Sequence, residues 1–270
     1  MTLILDDRFI DIDFENDPNF TRGDKGLSPF CGMDVFEDMN EVLTDAQIDA
    51  EIEAIDAAGG GAERLVTRIL NQGREGSCVA NAFTQAHQIL QALQVGRENV
   101  IQLSPISLYD RIGSSPSSGA MVSDGLDEMT SRGICPLDTP ENRARFPGMV
   151  LMPATGFHRE SQMPAGWQNS AKLFAGVEYQ IARSVNGIFT ALCKQWPVVV
   201  GREGHCIPYC RPTRSGGGRK AIYANSWDDT WGMAMGHMSG GFGADTINQI
   251  KKSAAYAVVI RTVIYPVFTK

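Results

Sequence analysis

The stretch Asn71-Gln72-Gly73-Arg74-Glu75-Gly76-Ser77-Cys78 ends a polar, glycine-bearing loop on a thiol. From that point residues 78–95 repeat apolar side chains at three- and four-residue spacing (Val79, Ala82, Phe83, Ala86, Ile89, Leu90, Leu93), the pattern of a helix with one buried face. Cys78 is thereby placed in the first turn of a helix, at the positive end of its dipole, a position that lowers a thiol's pKa and favours the thiolate nucleophile. Gly73 and Gly76 permit tight turns and close backbone approach. Gln72 lies six residues upstream, where its amide and the Cys78 N–H together suit an oxyanion. A blander reading competes, because cysteines outside disulfides are among the most buried residue types and Cys78 also fits as a small buried helix residue.

A thiolate enzyme needs an imidazole as base and acid, and a polar group to orient the ring. The chain has four histidines. His87 falls inside the predicted helix, His158 in a proline-rich crossing and His237 in a Gly/Met-rich stretch. His205 follows the apolar strand Val198-Val199-Val200-Gly201 and opens the next strand, while Asn225-Ser226-Trp227 closes a later strand 20 residues on. Strand ends of this kind meet across a sheet. Asn225 is then placed to accept from the His205 ring, and Trp227 to cover that bond from water.

The elements that must position these groups divide the chain. Residues 1–33 read as extended coil. Residues 35–57 read as helix, broken near Thr44-Asp45 with Thr44 as a cap for the second segment. Gly59-Gly60-Gly61 is the best boundary, a hinge between an N-terminal arm (1–62) and a body (63–270). Within the body, residues 64–70 form a short extended segment, and helices are expected over 105–112 after Ser104, 125–132 after Asp124, and 185–195. Residues 136–170 carry five prolines and little periodicity, and read as a long surface crossing. Strands are expected at 198–202, 206–211, 220–225 and within 255–264. Helices precede strands, which predicts an α+β fold with two segregated halves.

These residues resemble those of the papain-like cysteine peptidases. The loop is similar to that family's N-Q-G-x-C-G-S-C, with the interval from Gln72 to Cys78 kept. Asn225-Ser226-Trp227-Asp228-Asp229-Thr230-Trp231-Gly232 is similar to N-S-W-G-x-x-W-G, and Gly204-His205 to the start of the family's histidine strand. The intervals from Cys78 are 127 residues to His205 and 147 to Asn225, against about 130–150 in papain and the cathepsins. The resemblance covers about residues 63–264. It implies a two-part fold: a helical half, about 63–150, with Cys78, and a β-rich half, about 165–270, with His205 and Asn225, facing each other across a cleft. It also implies Cys78, His205, Asn225 and Gln72 as catalytic residues, Glu75, Gly76 and Trp227 as substrate-contacting residues, and a polypeptide substrate. Ser104-Pro105-Ile106-Ser107-Leu108-Tyr109 and Asp124-Gly125 match divergent bacterial and tailed-phage members.

Departures from the family pattern carry information too. Val79 stands where an aromatic residue is usual, which makes that wall of the cleft smaller. Glu75 stands where a disulfide-forming cysteine is common, which fits a reducing compartment and puts an acid near the cleft, in favour of basic substrate residues. Asp228 replaces a glycine. The stretch 232–237 lacks the usual Gly-Tyr strand.

The net charge of -7 argues against a nucleic-acid partner. No run approaches the roughly 18 apolar residues of a membrane span, and the acidic start of the chain is unlike a secretory signal. Cytoplasmic or virion-associated placement is expected, with the six cysteines as thiols and a bridge from Cys31 as the exception to look for. Cys206 and Cys210 flank His205 on its C-terminal side, but no second ligand pair stands at metal spacing, so no metal or other cofactor is expected. Residues 1–60 carry -13 and the rest +6. With Phe9, Ile10, Ile12, Phe14 and Phe20 as anchors, the arm reads either as a solvated tail or as a segment that docks on its own body or on other subunits of an assembly. The alternative to a peptidase is a papain-fold structural component of a phage virion, docked through that arm.

Overall fold

The computed structural model describes residues 41–175, 177–202, 204–214, 217–231, 240–253, 256–263 and 265–266. The expectations for residues 1–40, Cys31 and the stretch 232–237 lie outside these. The described strands are β1 (Glu178–Ile181), β2 (Val198–Arg202), β3 (His205–Thr213), β4 (Lys220–Ala224), β5 (Phe242–Thr246) and β6 (Tyr256–Thr262). They form an antiparallel sheet in the order β1-β6-β2-β3-β4-β5. The helices are α1 (Asp45–Ala57), α2 (Cys78–Val95), α3 (Pro105–Ile112), α4 (Val122–Ser131), α5 (Pro140–Arg145), α6 (Trp167–Lys172), α7 (Val185–Cys193) and α8 (Ile247–Ser253). This is the two-part α+β layout expected, with α2 to α6 preceding the sheet in the chain.

Both faces of the sheet are covered, and the side chains of each central strand divide between them. On β2, Val199 joins a core cluster with Cys78, Val79 and Phe83 of α2, while Val198 and Val200 join another with Phe189 of α7 and Ile48 and Ile52 of α1. On β6, Val258 and Ile260 turn to the first cluster and Ala257 and Val259 to the second. Coverage on both sides is why these strands read as unbroken apolar runs rather than as alternation.

Helix α2 has the predicted bounds, but its burial is not confined to one face. Every residue from Cys78 to Ala92 is buried, and Leu93, expected inside, is 38% exposed. The helix runs between the sheet and the helical half, so its polar residues are enclosed as well. Gln88 and Gln91 accept from the backbone N–H groups of Leu103 and Ile101, at 2.8 and 2.9 Å. Pairing of this kind offsets the cost of enclosing an amide.

The crossing at 136–170 is more structured than its prolines suggested. Thr139 caps α5 with Pro140 in its first turn, and Phe146, Met152, Met163 and Trp167 enter the large core cluster. Proline at the start of a helix is a signal for structure, not against it. Helix α4 begins three residues before the predicted start, with no side-chain cap, and the segment 64–70 is a 3-10 turn followed by irregular backbone. Strands β1 and β5 and helices α6 and α8 were not anticipated.

Helix α1 falls in the chain's acidic region and packs on α7 and β3. Thr44 and Gln47 form a capping box at its start. Its acidic side chains meet three arginines at the end of β3 and in the turn to β4. Arg219 binds Asp45 at 2.7 Å and Asp49 at 2.6 Å, Arg214 reaches Asp49 and Glu53 at 3.5 Å, and Arg211 pairs with Asp56 and, at 2.9 Å, with Glu63. Among the described residues, no helix is long and apolar enough to cross a membrane.

Candidate active site

The β2–β3 hairpin fixes His205. Arg202 and His205 are register partners, and Gly204, just before His205, has φ +76. A positive φ is what a tight hairpin turn demands and what glycine supplies. His205 therefore opens β3, and Asn225 directly follows β4, the neighbouring strand.

The two side chains meet as anticipated. His205 Nε2 lies 2.9 Å from Asn225 Oδ1. An amide oxygen only accepts, so Nε2 carries the hydrogen and Nδ1 is the basic nitrogen. Trp227 stacks on the imidazole, with ring centroids 4.7 Å apart and planes at 20°, and Trp231 packs edge-on behind it at 5.9 Å. His205 and Asn225 are each 1% exposed. Burial pushes the His205 pKa down to about 4; the Asn225 hydrogen bond works against this, and the Arg202 guanidinium with it. Arg202 is buried in a pair with Asp245, which also accepts from the Tyr209 hydroxyl at 2.6 Å.

The Gly-bearing loop is sewn onto the same strand end. Gln72 N donates to Ser226 O at 2.8 Å, Ser226 Oγ donates to Gln72 Oε1 at 2.5 Å, and Asn71 bridges to Trp227. Gln72 Nε2 donates to Glu75 O at 2.7 Å; an amide nitrogen has two hydrogens, so a second remains for another acceptor. Gly76 is required by close approach, since a Cβ there would lie 2.6 Å from Gly119 N and 3.1 Å from the Tyr109 hydroxyl. Six residues beyond Gln72, Cys78 is the first residue of α2, and the Ser77 side chain makes no cap hydrogen bond to that helix end. Cys78 shares an apolar cluster with Cys206, the neighbour of His205. One turn on, Asn81 lines a small internal cavity together with Cys206, Asn225 and Ser226. Cys78 itself is 0% exposed.

The residues singled out in the sequence thus come from three places. The head of α2 brings Gln72, Gly76 and Cys78, the start of β3 brings His205, and the end of β4 brings Asn225 and Trp227. Glu75 sits in the loop and turns its carboxylate to the backbone of Gly156 and Phe157. Val79 is fully buried, at the point where α4 approaches closely through Gly125. Asp228 adopts the left-handed φ of +68, which explains a glycine at that position in similar motifs, and its carboxylate accepts from Thr230 N at 2.7 Å and Asn71 Nδ2 at 3.3 Å. Sequence reasoning passed over Ser226, Tyr109 and Asp110. Burial raises the Tyr109 hydroxyl pKa, against hydrogen bonds at Ser118 and Gly119, and the hydroxyl would lie 3.1 Å from a Cβ on Gly76, beside the loop before α2. The motif Ser104 to Tyr109 was the available signal, but it gave no role.

The five described cysteines, Cys78, Cys135, Cys193, Cys206 and Cys210, are present as thiols.

No protein-family model matches the sequence, and comparison with curated proteins finds no match. Solved structures do match. Xylellain, a cysteine protease from Xylella fastidiosa, is 21% identical with a TM-score of 0.54, covering 72% of this chain and 82% of its own. The bromelain protease from Ananas comosus, in complex with the E64 inhibitor, is 16% identical with a TM-score of 0.53, over 75% of this chain and 97% of its own. Procathepsin L2 from Tenebrio molitor larval midgut is 18% identical with a TM-score of 0.53, over 74% of this chain and 66% of its own. The chain has the fold of the papain-like cysteine proteases.

Proposed function

We propose that this chain is a cysteine endopeptidase acting through an acyl-enzyme. The observation that carries the reading is the His205–Asn225 hydrogen bond, stacked under Trp227 and tied through Ser226 to Gln72 at the head of the Cys78 helix. In this reading Cys78 passes its thiol proton to His205 Nδ1, and the thiolate attacks the substrate carbonyl carbon. The carbonyl electron pair moves to oxygen, which the remaining Gln72 N–H and the Cys78 N–H receive. The C–N bond breaks as the imidazolium gives its proton to the leaving amine. Water, deprotonated by His205, then hydrolyses the thioester, releasing the carboxylate product and the thiol.

Burial disfavours an isolated imidazolium at His205. A proton received from Cys78 leaves a thiolate beside it, and attraction between the two charges offsets that burial. Asn225 holds the ring in the tautomer that makes Nδ1 the base, and Trp227 keeps water from the Nε2 bond. Cys78 and His205 are 0% and 1% exposed, so the reaction includes an opening step that admits the polypeptide. The bromelain structure carries E64, and thiol-reactive inhibition is the property to seek here. The direct test is hydrolysis of a denatured protein or fluorogenic peptide by the full chain, with Cys78→Ala and His205→Ala abolishing it. No hydrolysis across a broad peptide library would favour the assembly-component alternative, which requires the fold and the arm but no proton transfer.

A further inference from the structure

Two carboxylates outside the proposed proton relay grip one short segment. Glu75, in the loop before α2, accepts through Oε1 from Gly156 N at 2.8 Å and Phe157 N at 2.9 Å. Asp110, near the end of α3, accepts through Oδ1 from His158 N at 2.7 Å. Three successive backbone N–H groups of residues 156–158 thus end on two acids from different elements. The second oxygens, Glu75 Oε2 and Asp110 Oδ2, are buried with no hydrogen-bond partner. Phe157 packs edge-on against Tyr109 at 5.3 Å, so the segment is held by its side chain as well as by its backbone. Glu75 lies three residues before Cys78, in the loop that leads into α2.

We propose that Glu75 and Asp110 form a carboxylate clamp that ties the 156–158 segment to the loop before α2 and to the end of α3. The proposal does not rest on the peptidase reading; it is a statement about three backbone hydrogen bonds. Charge-assisted bonds to N–H groups are stronger than neutral ones, and two acids so placed hold a loop that has no regular structure of its own. The clamp is also sensitive to acid. Burial pushes the Asp110 pKa up to about 6. Glu75 adds to that rise, while the hydrogen bond from His158 N, the His158 ring and Arg111 oppose it. Arg111 is itself paired with Glu128 at 2.8 Å. Protonation of Asp110 removes the charge from the bond to His158 N.

The experiment is amide hydrogen exchange on the full chain, corrected for intrinsic rates, in the wild type, Glu75→Gln and Asp110→Asn. Glu75→Gln should lower protection at Gly156 and Phe157 by about 5- to 10-fold, the difference between charged and neutral acceptors. Asp110→Asn should do the same at His158, and neither should alter α2 amides around Ile89. In the unmutated protein, His158 protection should fall between pH 7 and pH 5. This arm needs no variant to fold. Unchanged protection at 156–158 in both variants, or an equal loss throughout the chain, overturns the clamp. If the wild type hydrolyses nothing while the exchange pattern appears as stated, the clamp stands and the peptidase reading falls.

Discussion

Asn225→Ala removes the acceptor of the His205 Nε2–H and little else. The Asn225 backbone N–H, bonded to Gly241 O at 2.8 Å, is untouched, and its side-chain Nδ2 is buried without a partner, so no second bond is lost. The imidazole is 1% exposed, so water does not readily replace the amide. During turnover the ring carries a positive charge, and a hydrogen bond from a charged group is worth about 1.5–3 kcal/mol. Lost only when His205 is protonated, that energy lowers kcat by about 10- to 150-fold. Substrate contacts are unaffected, so KM should stay within about twofold. Asn225→Asp restores an acceptor and adds a negative charge that stabilises the imidazolium. It should recover activity and move the acid limb of the pH profile upward. The assay is steady-state hydrolysis of a fluorogenic peptide, with a thermal unfolding curve for each variant. A folded Asn225→Ala with less than about threefold loss in kcat would refute the orienting role. Asp228, the other acid near this strand end, is no ready substitute, because its carboxylate is engaged by Thr230 and Asn71.

Other outcomes follow from the same geometry. His87 is fully buried, and burial lowers its pKa from 6.5 to about 4. Its folded pKa lies below its unfolded one, so its stabilising contribution is complete above pH 6.5 and is lost as pH falls towards 4, about 3 kcal/mol in all. Urea unfolding at pH 7.5 and 4.5 should show this loss together with a similar one from His205, and His87→Gln should remove the His87 share alone. Ile52 of α1 is 0% exposed, and Ile52→Ala should cost about 2–5 kcal/mol by the same assay. Deleting residues 1–40 leaves Ile48 and Ile52 in the core, whereas deleting 1–60 removes both and should lower the unfolding midpoint. An arm lying over the site predicts faster hydrolysis on the first deletion; an arm used in assembly predicts an unchanged rate and lost oligomerisation.

Legibility in the sequence followed the range of the forces involved. The start of α2 at Cys78, the Ser104 cap of α3 and the Thr44 cap of α1 were readable because a cap and an apolar period are local properties. His205 and Asn225 were readable because each stands at the end of a short apolar strand. What escaped depends on distant partners. The enclosure of Gln88 and Gln91 rests on the backbone at 101–103, which no periodicity within α2 reports. Trp167 looked like part of a surface crossing, yet it is 3% exposed, with the Arg111 and Arg132 guanidinium groups at 5.1 and 4.8 Å from its ring. The charge division at residue 60 was visible, but not that α1 would sit against the arginines of β3 and the turn to β4. Glu75 was read as an acid facing substrate, a reading that treats a loop side chain as solvated. The backbone donors at 156 and 157 that it meets lie 81 and 82 residues away.

Covalent labelling tests the central claim most directly. Burial pushes the Cys135 thiol up to about 11 and the partly exposed Cys193 up to about 12, and holds Cys210 well above its ordinary value. These thiols carry almost no thiolate at pH 7 and should be inert. An epoxide-type thiol inhibitor, applied to the folded full chain and read by peptide mass spectrometry, should add at Cys78 and not at Cys135, Cys193 or Cys210, and should fail to add at Cys78 in His205→Ala. Absence of an adduct, or an adduct at Cys78 that forms equally fast without His205, would contradict a nucleophile activated by that imidazole.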